Sequence, residues 1–324
     1  MELAIATDYM GESPDLREVD LRLAHIAEAG FTHVHWAHEW DGDYVYSVHE
    51  MEWIRDRLDH YGLKTKGIHA SKGSLRPGGF FQNFHRNDYM RKDYSSLNEY
   101  SRKAGVDLIK NRIDMAEILG TSEIVLHMIL PCCDFEKDDY ENLYYRQIFR
   151  SLDELETYSM DRGVRICIEN MWAPDNGRQI QMFDRIFDRY SRNFLGICVD
   201  TGHAFLSDEK ENMLELAERY ADRLYCIHAQ DNQGPPLELR AKAKNLDEYC
   251  RSCGEDYHWT PFEGKFDWEG FARILAKSAY SFPILLETAC HGEEEMEFLR
   301  KNMQAGQKLT NMVKQFQQET SVLT

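Results

Sequence analysis

The chain has no apolar run of about eighteen residues, the length a helix needs to cross a bilayer, so nothing in it reads as membrane-spanning. Positive charge is scarce as well: 38 Lys and Arg stand against 56 Asp and Glu, a formal net charge of −18 over 324 residues. Such a surface repels phosphate backbones and anionic lipid, and no Arg/Lys cluster with interleaved aromatics offsets it, which argues against nucleic acid as the partner. No stretch is of low complexity or rich in Pro, Gly and Ser, so one domain over 1–324 is expected. The opening Met1-Glu2-Leu3-Ala4-Ile5 lacks the basic segment of a secretory signal and reads as a strand. A cytoplasmic, reducing location follows as the expectation. The eight cysteines are then thiols, and Cys167, Cys198 and Cys226 fall inside apolar runs, where sulfur acts as a small apolar group. Cys250-Arg-Ser-Cys253 has the spacing of half a zinc or redox site, but no second pair completes it.

What recurs is an alternation of short apolar runs with longer amphipathic stretches. The runs span 2–7, 33–36, 64–68, 123–127, 164–169, 195–200, 224–228 and 283–287. Continuous short runs rich in Val, Ile and Leu suit strands covered on both faces, as in a parallel sheet. Helical spacing appears over 16–29, 51–61, 109–119, 143–160, 214–220, 271–276 and 293–316, with Gly30, Gly62, Gly120 and Gly163 as stops. Eight alternations predict a (β/α)₈ TIM barrel. A doubly wound open sheet is the alternative; it would want a Gly-rich turn after the first strand, and Asp8-Tyr9-Met10-Gly11 is not one. Two long loops follow the third and seventh strands, at 70–95 and 232–257, on the side where barrels place their active sites.

Polar residues collect where the apolar runs end. His69, His127, Glu169-Asn170, Asp200-Thr201-Gly202-His203, His228-Ala229-Gln230-Asp231-Asn232 and Glu287-Thr288 all occupy such ends. In a barrel they converge on one mouth. Three carboxylates there repel one another unless a cation neutralises them, and Asp, Glu and His together suit Mn²⁺, Zn²⁺, Co²⁺ or Mg²⁺. Each residue alone has an ordinary reading: Asp200 could cap the next helix, and a single His such as His127 could be a core residue. The conjunction at one face carries the argument. Trp36, His38 and Trp40 after the second strand, Phe80, Phe81 and Phe84 in the third loop, and Trp172 after Asn170 could stack on a sugar face, pack a lid or form a subunit contact.

The order of Ile168-Glu169-Asn170, Asp200-Thr201-Gly202-His203, His228 through Gly234, Asp256-Tyr257-His258 through Trp268, and Leu286-Glu287-Thr288 resembles the xylose-isomerase-like barrel superfamily of sugar isomerases, epimerases and endonuclease IV. In the sugar-enzyme branch the resemblance implies one divalent metal, most often Mn²⁺, on Glu169, Asp200, His228 and Glu287. Glu169 and Glu287 would also move protons on opposite faces of a small carbohydrate through an enediolate. His69, His127, His203, Asp256 and His258, with Trp36 and Trp172, would line the substrate. A lyase or dehydratase acting on an oxidised sugar or glycoside, alone or in a hetero-complex, would share that step. The endonuclease IV branch implies three zinc ions on the enlarged set; a non-catalytic barrel subunit is the remaining alternative. The sequence departs from the sugar-enzyme pattern at Gln230, where a second His is common. It departs again in the insertion 235–255, which carries Arg240, Lys242 and Lys244, and at Pro261-Phe262-Glu263-Gly264 in place of Pro-Gly-x-Gly. Self-association through the aromatic loops is a further possibility.

Overall fold

The computed structural model describes residues 1–38, 44–70, 91–128, 130–172, 174–208 and 212–322. Eight strands, β1 (Leu3–Ala6), β2 (His33–Trp36), β3 (Lys64–Ala70), β4 (Glu123–His127), β5 (Arg165–Glu169), β6 (Leu195–Asp200), β7 (Leu224–Ala229) and β8 (Ile284–Leu286), pair in parallel and close as a barrel in sequence order. Around them run α1 (Leu16–Glu28), α2 (Val48–Tyr61), α3 (Glu99–Leu119), α4 (Tyr140–Asp161), α5 (Asn176–Phe187) and α6 (Thr201–Ser207). The ring continues with α7 (Glu215–Arg219), α8 (Leu237–Arg240), α9 (Leu246–Arg251), α10 (Trp268–Lys277) and α11 (Glu295–Val322). The predicted barrel is therefore the fold. Among the described residues no helix is long and apolar enough to cross a membrane.

Strand parity explains the two cores. Val34, Ile68, Ile124, Leu126, Ile166, Ile168 and Ile197 point outward into the layer shared with the helices. Ala4, Ala6, Val125, Cys167, Cys198, Cys226 and Leu285 form a smaller cluster inside the barrel. Eight strands leave room only for small and medium side chains there. The same parity, carried one step further along each strand, turns the terminal polar residues inward at the C-terminal mouth.

Local chemistry sets the helix ends. Ser47, Asn98, Asp175 and Asp267 cap α2, α3, α5 and α10 through their side chains. Gly62 and Gly120 close α2 and α3 at φ 68° and 72°, where a Cβ is disfavoured. Helix α3 begins ten residues before the expected 109 because its polar first turns are held by charge: the buried Arg102 guanidinium binds Glu99 and, at 2.8 Å, Glu154 of α4. Residues 71–90, with Phe80, Phe81 and Phe84, lie outside the described residues, as does Trp40. The loop after β7 carries α8 and α9 within its 235–255 insertion. Arg240 there neither meets solvent nor the mouth: it is buried and donates to the carbonyls of Leu206 (2.6 Å) and Ser207 (2.8 Å), closing the C-terminal end of α6. Lys242 and Lys244 are exposed.

Candidate functional site

The mouth brings together Glu169 from β5, Asp200 from β6, His228 from β7 and Glu287 just past β8, each offering one ligand atom within 4.8 Å of the others. His228 Nδ1 lies at their centre, 3.0 Å from Glu287 Oε2, 3.2 Å from Glu169 Oε1 and 3.9 Å from Asp200 Oδ2. Glu169, Asp200 and His228 are fully buried. Burial opposes a charged His228, but Glu287 and Glu169 overcome it and raise the imidazole well above its ordinary range. Burial, helped by Glu169 and Glu287, pushes Asp200 up to about 7 against the pull of His203. The crowded carboxyl groups thus favour a proton on His228 between them. The donor set, three carboxylates and one imidazole, is that of a hard or borderline divalent cation, which would take the place of that proton. On this chemistry the residues fit such an ion.

The early histidines adjoin the same cluster. His127 Nε2 lies 3.1 Å from Glu169 Oε2, and His69 Nε2 lies 3.5 Å from the same oxygen. Beyond them His203, Asp256 and His258 form a second group of possible ligands. His203 donates from Nδ1 to the Asn170 carbonyl and from Nε2 to Asp256 Oδ2, both at 2.9 Å. His258 does the same between the Glu287 carbonyl (3.0 Å) and Asp256 Oδ2 (2.9 Å). Both partners of each ring are acceptors, so both rings are held as cations. Although burial works against it, Asp256 raises His258 to about 10. His258 also occupies the left-handed backbone region at φ 49°, an uncommon conformation for a non-glycine residue that fixes where its ring points. Trp172 reaches the mouth, its ring 4.8 Å from that of His203.

Trp36 does not join them. It is the last residue of β2 and, by parity, points outward while His35 points in; its indole is buried in the helix layer and donates to the Tyr46 hydroxyl at 3.0 Å. In its place the structure adds Asp8, just after β1, whose carboxyl burial and the nearby Glu287 push up to about 6. Asp8 follows the same strand-end rule that picks out the other carboxylates. Gln230, the departure from a second His, bridges the two halves of the site: its amide donates to Asp200 Oδ1 (3.1 Å) and Asp256 Oδ1 (3.0 Å). Gly202 makes that possible, since a Cβ on it would stand 2.1 Å from Gln230 Oε1.

Asp231 organises the turn beneath. Its buried carboxylate accepts from the backbone of Asn232 (2.9 Å), Phe262 (2.9 Å) and Phe266 (3.1 Å) and from the Trp268 indole (2.7 Å). The turn keeps a left-handed residue despite lacking the expected glycine, with Phe262 at φ 78°. Asp231→Ala leaves four donors without an acceptor, and we expect it to cost about 3 kcal/mol or more in urea unfolding; a loss below about 0.5 kcal/mol would show the carboxylate to be dispensable.

Comparison with known proteins places this geometry. The uncharacterized protein y4fM of Sinorhizobium fredii is 32% identical over 271 residues, spanning 81% of this chain and 78% of that protein. A probable endonuclease 4 of Geobacillus is 26% identical over 152 residues, 44% of this chain and 49% of its own. Among solved structures, a D-tagatose 3-epimerase-like protein superposes with a TM-score of 0.67 at 18% identity, covering 99% of this chain and 100% of its own. L-ribulose 3-epimerase superposes at 0.68 with 11% identity, covering 100% and 98%. The 3-keto-D-glucoside 4-epimerase of E. coli superposes at 0.63 with 14% identity, covering 95% and 100%. These similarities establish the shared fold. The family described as the xylose isomerase-like TIM barrel matches residues 23–309, and the chain belongs to that family.

Proposed function

We propose that the protein is a divalent-metal-dependent isomerase or epimerase of a small carbohydrate, working by removal and return of a proton next to a carbonyl. The observation that carries this reading is the pair of carboxylates, Glu169 and Glu287, which reach the same point from strands three apart, each about 3 Å from His228 Nδ1. Glu169, Asp200, His228 and Glu287 would hold the ion, with Mn²⁺ the first candidate and Zn²⁺, Co²⁺ or Mg²⁺ the others. When bound, the ion supplies Lewis-acid polarisation of adjacent substrate oxygens. Glu169 removes a proton from one face of the hydroxyl-bearing carbon next to the carbonyl and Glu287 returns one to the other. His127, more than a quarter exposed in its side chain, offers an N–H donor to the hydroxyls. Trp172 offers a flat apolar face for the sugar ring. The sugar epimerases among the structural neighbours support the same class.

The direct test is incubation with ketoses in D₂O with Mn²⁺, starting with tagatose, ribulose, psicose and fructose. Deuterium at the carbon next to the carbonyl, with formation of the epimer or isomer, is expected. Exchange followed by elimination would move the assignment to a lyase or dehydratase, and no exchange across the ketose panel and oxidised glycosides would overturn it. Removal of the metal by chelation should lower turnover at least a hundredfold, with recovery on adding Mn²⁺; unchanged turnover in the stripped protein contradicts the ligand assignment.

A second reading has its own observation. His69–Glu169–His228 and His203–Asp256–His258 are further groups able to hold an ion, so the mouth could carry three. That arrangement would suit phosphodiester hydrolysis, against which the net charge of −18 weighs. Elemental analysis decides: about one metal per chain at these sites favours the sugar enzyme, about three zinc ions the phosphodiesterase.

A further inference from the structure

Cys250 has a neighbour other than Cys253. The turn Cys132–Asp134 after β4 and the helix α9 of the 235–255 insertion meet so that Cys132, Cys133 and Cys250 each present a sulfur within 4.8 Å of the other two. Cys132 Sγ and Cys250 Sγ are 4.0 Å apart, and none of the three is in a disulfide. Adjacent residues in extended backbone point to opposite sides; the tight helical turn starting at Cys132 lets Cys132 and Cys133 face one point. Cys132 and Cys250 are buried, whereas Cys133 is half-buried and lines a cavity of about 610 Å³ that also contains Asp247 and Glu136.

We propose that Cys132, Cys133 and Cys250 form a trithiolate site for one thiophilic cation, Zn²⁺ in the protein as isolated, which fastens the insertion after β7 to the segment after β4. The geometry selects a cation over a disulfide. Zn–S bonds of about 2.3 Å place thiolates roughly 3.8–4.0 Å apart in tetrahedral or trigonal arrangement, whereas bonded sulfurs lie about 2.05 Å apart. The Cys133 contact and burial push the Cys132 thiol up to about 12, against the opposing effect of Cys250. A bound cation reverses that, and each thiol gives up its proton to solvent as its sulfur binds. The open cavity beside Cys133 leaves the fourth position to water or to a carboxylate. The site is separate from the carboxylate cluster and independent of the reaction assigned to it. Soft sulfur donors and hard oxygen donors would divide two different metals between the two places.

The test uses the full chain, stripped of metal under reducing conditions and titrated with Cd²⁺ while thiolate-to-metal absorption in the ultraviolet is followed. One equivalent per chain should give the band. Cys133→Ser, at a half-exposed position that does not endanger folding, should weaken Cd²⁺ binding at that band at least tenfold, as should Cys250→Ser. Protein purified without chelator should carry about one zinc more per chain than Cys133→Ser. The competing sulfur group, Cys198 and Cys226 beside His228, is separated by Cys226→Ser, which should keep the band. No band, or a band lost in Cys226→Ser and retained in Cys133→Ser, overturns the site. So does a Cys132–Cys250 disulfide in the peptide map of unreduced protein.

Discussion

Glu287→Gln should lower turnover by about 10²–10⁴-fold while the folded protein keeps its thermal transition within a few degrees. Glutamine preserves the volume and one hydrogen-bonding oxygen beside His228 Nδ1, now 3.0 Å from Glu287, but it cannot accept the substrate proton and brings no charge to the ion. Isotope exchange separates the two losses. With Mn²⁺ saturating and bound metal measured, Glu169 can still remove and return a proton on its own face, so the variant should slowly wash deuterium into one epimer without producing the other. Glu169→Gln should show the converse preference. Full activity in Glu287→Gln would sink the two-carboxylate mechanism, and loss of bound metal with no exchange from either epimer would reduce Glu287 to a ligand.

The barrel was legible because its strands are short and buried on both sides. The interiors of runs such as 123–127 and 195–200 carry apolar residues without a charged one, and no amphipathic surface helix of that length reads the same way. The carboxylates and histidines of the mouth were legible for a related reason: a polar residue directly after such a run can only be tolerated at the open end. The rule overlooked Asp8, to which it applies, and it misplaced Trp36, where parity within β2 mattered more than closeness to the strand end. Helix α5 had its signals in Asp175 and in the spacing of Ile180, Phe183, Ile186 and Phe187. Other contacts leave no local trace. Arg240 closing α6 and Cys250 meeting Cys132 join segments 33 and 118 residues apart, and nothing in the composition of 235–255 announces either partner.

Lys66→Met should destabilise the protein by about 3–5 kcal/mol, with little change in kcat for the fraction that folds. The Lys66 ammonium is ion-paired with Glu123 and donates to the Tyr225 carbonyl at 3.2 Å; both charged side chains are 2% exposed. Neither has water to return to, so removing the cation strands a buried carboxylate. Glu123→Leu should cost a similar amount for the opposite reason. The double variant Lys66→Met/Glu123→Leu should recover most of the loss, because replacing both ions removes the desolvation that each single variant leaves uncompensated. Urea titration of the four proteins reads this cycle, and additive losses in the double variant would mean that the two charges do not depend on each other. The constancy of kcat follows from position. Glu123 begins β4 and His127 ends it, so the pair sits at the floor of the barrel, roughly 13 Å along the strand from the mouth. Between the two ends lies the layer formed by Val125, Cys167, Cys198, Cys226 and Leu285, all fully buried. A fall in kcat as large as that of Glu287→Gln would show instead that the floor sets the geometry of the carboxylates above it, and the division of this barrel into a stabilising end and a reactive end would fail.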